Sequence, residues 1–158
     1  MKSGFLFILG LTAIMALGAS GRGELAQIRS ATEQFQRPEM AQAAGYSFIS
    51  SLNDCNPSFG GAGYQYINIG LIDTSVDLLH PEAMIYVPGR NGTLQLGAVE
   101  YIVPVAAWNA IHTAEWPRIM DQQFQLNPSL GVYILHIWVW TDNPSGVFEA
   151  WNPNVACL

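Results

Sequence analysis

The chain has 158 residues, with twelve acidic side chains against six basic ones and a net charge of −6. That length suits one domain with a core of its own. The acidic balance argues against nucleic acid or an anionic membrane surface as partner.

The first 21 residues read as a secretory signal: Lys2 supplies the positive start, residues 5–17 an apolar run, and Gly18, Ala19, Ser20 and Gly21 the small residues before cleavage. The run is shorter than the about 20 apolar residues a membrane span needs. The expectation is therefore a secreted or periplasmic protein with no membrane insertion after cleavage, an uncleaved anchor being the alternative. Residues 22–158 then form a single α+β domain of about 137 residues. Its basic residues are Arg22, Arg29, Arg37, Arg90 and Arg118, with no lysine.

Residues 24–46 are rich in alanine and glutamine, with Leu25, Ile28 and Phe35 at helical spacing and a capping-box pattern from Ser30 to Glu33. They predict a helix or a helix pair. Pro38 either opens a second helix at its first turn or kinks a continuous one, and Gly45 marks the exit.

Beyond Gly45 the chain turns to aromatic and β-branched runs separated by glycine, asparagine and proline. Residues 63–71, 83–87, 93–103 and 130–141 are predicted strands, and Arg90-Asn91-Gly92 is turn chemistry for a hairpin between the second and third. The third is long enough to bend or to carry a bulge near Gly97, and Pro104 ends it. A short helix over residues 118–124 is a weaker expectation, since Trp116-Pro117 precedes it and no period is clear. Asn-Pro pairs at residues 56–57, 127–128, 143–144 and 152–153 mark extended or turn segments. The simplest assembly is an N-terminal helix packed on a curved antiparallel sheet, with a small barrel-like or cupin-like sheet as the rival.

Strand alternation places His136 on one face with Ile134, Trp138 and Trp140, while Tyr133, Leu135, Ile137 and Val139 lie opposite. Both faces are apolar, so the strand is predicted to be central and His136 to be buried and in need of a partner. Glu100 is an isolated carboxylate among apolar residues of the third strand. Glu82, aligned with Met84 and Tyr86, begins the second, and Gln65 lies in the first. If the faces agree, Gln65, Glu82, Glu100 and His136 converge on one pocket. An imidazole with carboxylates suits a divalent transition metal, and the same groups suit acid/base chemistry in a dry cavity. The plain alternative is a His136–Glu100 hydrogen bond that serves structure only.

Other polar groups carry less. His112 and Glu115 lie in a loop-like stretch and read as solvated surface, and His80 before Pro81 reads as a turn residue. Trp108, Trp116 and Trp151 suit a sugar-stacking face but read more simply as core. Asn91-Gly92-Thr93 is a glycosylation sequon. Phosphate loops, nucleophile elbows and CxxC motifs are missing from the sequence. The two cysteines, Cys55 and Cys157, lie in the exported part, where pairing is the default for an even count. Their bridge would close a loop of roughly 100 residues, for which chain entropy gives about 4.7 kcal/mol at most.

The segments PEAMIYVP, GAVEYIVP and YILHIWVWTDNPSGVFEAWNPNVAC resemble those of a family of small exported, mostly bacterial proteins of unknown function. The resemblance runs from Ala31 to Cys157. In that family histidine often stands where this chain has Gln65. The resemblance therefore implies a His, Glu, Glu, His set mapped onto Gln65, Glu82, Glu100 and His136, with one imidazole lost here and metal affinity weakened. It implies no reaction. The functional expectation is a binding domain whose His/Glu pocket takes a metal or small ligand. The alternatives are a metal-dependent or acid/base enzyme using His136 and Glu100, and an envelope-associated structural protein with no site.

Overall fold

A computed structural model describes residues 19–52, 55, 56 and 58–156, with only the backbone described at residues 19, 55 and 56. The apolar run of residues 5–17 and Cys157 lie outside the described residues. Among the described residues no helix is long and apolar enough to cross a membrane.

The alanine-rich stretch forms two helices. α1 spans Ala19–Thr32, a 3₁₀ turn covers Glu33–Phe35, and α2 spans Pro38–Ala43 with the proline in its first turn. There proline's fixed φ and missing N–H cost the helix nothing. α1 runs through Ser30, so the Ser30-to-Glu33 pattern marks no helix start. Gly45 sits at φ 94° and turns the chain into the sheet.

Ten short or medium strands follow: β1 Ser47–Phe48, β2 Cys55–Asn56, β3 Gly60–Gly61, β4 Tyr64–Ile67, β5 Ala83–Pro88, β6 Leu94–Pro104, β7 Arg118–Ile119, β8 Gln122–Gln123, β9 Gln125–Asn127 and β10 Val132–Ile137. Six of them form one sheet in the order β1-β4-β5-β6-β10-β9, with every neighbouring pair antiparallel. The sheet is open, with β1 and β9 at its edges, so the barrel-like alternative is set aside. The predicted β5–β6 hairpin forms around Asn91, whose side chain accepts hydrogen bonds from the Thr93 N–H and hydroxyl. A bulge falls at Gly97: Ile85 pairs with Ala98 and Tyr86 with Leu96. The Gly97 carbonyl then accepts from both Trp140 and Thr141 N–H at 3.0 Å.

One expectation fails, and one element comes without an expectation. Residues 118–124 form the β7–β8 hairpin instead of a helix, and α3, Val105–Ile111, follows Pro104 unannounced. The hairpin turns through Met120 and Asp121, at φ 51° and 59°, without the asparagine or glycine that such a turn favours.

The sheet has two covered faces. On one, Tyr66, Met84, Tyr86, Val99, Tyr101, Leu135 and Ile137 pack with Leu25 and Ile28 of α1, Trp108 of α3 and Phe124. Buried tyrosines tether this face by donating to backbone carbonyls, Tyr86 to Phe35 and Tyr101 to Leu78, each at 2.7 Å. On the other face, Ile85, Val87, Ala98 and Trp138 pack with Val155 of the C-terminal segment, and Ile67, Ala83 and Ile102 form a second cluster. The Asn-Pro turns hold that segment. Asn152 is fully buried, accepts from Asn154 N–H and donates to the Asp142 carbonyl, while Asn143 donates to the Trp151 carbonyl. Against β3, Gly61 N–H donates to Val155 at 3.0 Å and Asn152 N–H to Gly61 at 3.1 Å.

Candidate functional site

Register brings the polar candidates together. In β10 and β6 the hydrophobic alternation is set against the core, and the pairing puts His136 directly opposite Glu100. β5 adds Ala83 opposite Glu100, and β4 adds Ile67 opposite Ala83, so His136, Glu100, Ala83 and Ile67 form one rank across the sheet. Gln65 belongs to the neighbouring rank with Ile85 and Ala98.

Gln65, Glu100 and His136 line one cavity of about 620 Å³. Its sheet side carries Ile67, Ile102, Val132 and Ile134 as well. The opposite wall comes from Leu52, Ile72 and the Ala150–Trp151 step of the C-terminal segment. β9 and the turn after it, through Leu130, also line it, and there Leu126 and Leu130 are exposed. The volume falls within the range of small-molecule pockets, which is about 300–1,000 Å³.

At the polar end, His136 Nδ1 stands 3.6 Å from Glu100 Oε1, beyond a hydrogen bond. The side chains are only 5% and 3% exposed, and His136 Nε2 and Glu100 Oε2 have no partner. Leaving a buried polar group unpartnered costs roughly 1–3 kcal/mol. Burial pushes the Glu100 carboxyl up to about 8 and the His136 imidazole down to about 4. Both shifts favour a neutral acid beside a neutral base. The structural hydrogen bond offered as the plain alternative is not made at this distance.

Glu82 parts from the set. It precedes β5 on the face of Met84 and Tyr86, is 3% exposed, and accepts a hydrogen bond from the Ile102 N–H at 3.0 Å. It is not among the residues lining the cavity. Desolvation raises its carboxyl to about 7, with Asp73 and Asp77 adding to the rise and the Ile102 bond opposing it. Its work is local, satisfying a backbone donor beside the sheet.

The aromatic set divides. Trp108 is buried and stacks on His112, centroids 3.7 Å apart. Trp116 lies half-exposed against Tyr133, and Trp151 alone reaches the cavity, stacked on the exposed Phe59 at 6.0 Å. Trp151 Nε1 is also buried without a partner. Trp140, assigned by alternation to the His136 face, crosses to the helix side and donates to Thr32 Oγ1 at 3.0 Å. The reason is that β10 ends at Ile137. The polar surface groups are accounted for separately: His80 pairs with Asp77 at 2.8 Å in a solvated turn. Leu52, Ile72, Leu126 and Leu130 carried no sequence signal as lining, because scattered apolar residues look the same whether or not they meet.

A divalent transition metal fits poorly here. Protein sites for such ions take at least three strong donors, whereas no group of three His, Cys, Asp or Glu side chains with that geometry exists among the described residues. Glu100, His136 and the Gln65 amide remain, suited to hydrogen bonding. Comparison with known proteins adds nothing to this geometry: no family model, curated protein or solved structure matches the chain.

Proposed function

We propose that the chain is an exported binding protein whose small ligand enters the cavity between the open sheet face and the C-terminal segment. One observation carries this reading: Glu100 Oε2 and His136 Nε2 are buried and unpartnered on residues that line an otherwise largely apolar space. Native proteins seldom leave such atoms unsatisfied, and a ligand that meets them recovers the loss. The positively started, apolar N-terminal run supports export. The motif resemblance, which implies an exported family, points the same way.

Titration of the full exported chain with a polarity-sensitive apolar dye such as 1-aminoanthracene tests the reading. Saturable one-to-one binding is expected, and Ile134→Trp, which fills the cavity from β10, abolishes it. Absence of saturable binding to the native chain contradicts it.

An acid/base catalyst is the second reading, favoured by the 3.6 Å separation of a carboxyl and an imidazole held neutral together. Glu100→Gln separates the two, since it leaves affinity in a binding protein and removes turnover in a catalyst.

A further inference from the structure

We infer that the ligand of this cavity is an uncharged amphiphile, with an apolar tail and a hydroxyl or amide head that both gives and accepts a hydrogen bond. The inference rests on the cavity being a ligand site, as proposed above. It follows from the chemistry of the two ends of the space.

The polar end holds Glu100, His136 and Gln65. A protonated carboxyl, a neutral imidazole and a carboxamide each present at least one donor and one acceptor. Their natural complement is a group with an O–H or N–H and a lone pair of its own. Charged heads fare worse. The described lining contains no lysine or arginine, so an anion would meet no counter-charge and would be desolvated beside a buried carboxyl. An ammonium would find its counter-ion only if Glu100 gave up its proton where it is 3% exposed, which burial opposes. A carboxylate would similarly need His136 to take a proton that burial denies it.

The end away from His136, where Val132, Ile134, Leu126 and Leu130 stand with Asn127 and Ser129, gives the direction. Ile134 and Val132 follow His136 along the same face of β10, and Ile102 faces Ile134 from β6. From His136 to Val132 the strand runs about 13 Å at its ordinary rise. There the cavity meets Leu126 of β9 and Leu130 of the turn after it, which are 45% and 53% exposed. A tail lying along β10 covers both leucines at its outer end while its head stays with His136 and Glu100.

Calorimetric titration of the full exported chain near pH 6.5 with decanol, decanoate, decylamine and decane tests this. Decanol is expected to bind roughly tenfold or more tighter than either charged compound and than decane, the factor set by hydrogen bonds made and by charges left unpaired. Glu100→Gln keeps that preference, because it retains a neutral donor and acceptor, and Glu100→Leu narrows it, because one of the three polar partners is lost. Decanoate or decylamine matching decanol overturns the inference while leaving the cavity as a ligand site. Decane matching decanol in the native chain overturns it too, since the head would then have no role. Failure of all four to bind overturns the ligand site as well.

Discussion

Glu100 and His136 are held in opposite senses by one cause, the removal of water. Glu100, pushed up to about 8, stabilises the fold fully below the ordinary carboxyl range and loses that contribution as pH rises through 8. His136, pushed down to about 4, contributes above its ordinary value near 6.5 and loses the contribution as pH falls through 4. Between about 4.5 and 6.5 the two slopes cancel, because the folded pair and the unfolded pair bind equal numbers of protons. Glu82, raised to about 7, adds a decline across and just above that window. Above pH 6.5, Glu100 dominates. Urea unfolding should therefore show stability falling by about 2 kcal/mol between pH 6.5 and 8, and Glu100→Gln should remove most of that fall. An unchanged slope in the variant would place the titrating group elsewhere. His136 and Glu100 were legible in the sequence as isolated polar residues in apolar strands. That Glu82 would stand apart from them was not, since its face depends on the register of β5 against β6.

Among the elements, β3 bonds the C-terminal segment, whose Ala150 and Trp151 line the cavity, and their junction has no spare room. A Cβ at Gly60 would stand 2.1 Å from the Asn152 carbonyl oxygen, and the residue holds φ 97°. Gly60→Ala should cost about 2 to 4 kcal/mol and loosen the wall that bears Ala150 and Trp151, lowering dye affinity together with the urea midpoint. β2 pairs Cys55 with Gly61, which in turn bonds Val155, two residues before Cys157. We propose that Cys55 and Cys157 form a disulfide that pins this wall. A thiol assay on the native chain should find no free sulfhydryl, and one or more would contradict the bridge. The period-2 runs, the Asn91 turn and the bulge at Gly97 were readable because each rests on local chemistry. The β7–β8 hairpin and α3 were not. The first turns on Met120 and Asp121 at positive φ, and the second follows a strand whose apolar content continues without a break.

At the scale of the whole molecule, an open antiparallel sheet carries two unlike faces. The helices α1 and α3 close one with tyrosine-anchored packing. Loops and the C-terminal segment cover the other, and there the space over β4, β6 and β10 stays unfilled. Of the four buried side-chain atoms without a partner among the described residues, Glu100 Oε2, His136 Nε2 and Trp151 Nε1 belong to residues that line that space, and Gln36 Nε2 does not. Filling the space with a ligand should stabilise the whole domain by mass action, about 2.7 kcal/mol at a concentration 100 times the dissociation constant. The imidazole nitrogens of His136, observed by nuclear magnetic resonance near pH 5.5 in ¹⁵N-labelled protein before and after addition of decanol, report on the site itself. A neutral ring whose Nε2 resonance moves on addition is the result required. A ring already protonated at that pH, or one indifferent to the ligand, would contradict a ligand-binding end built on Glu100 and His136.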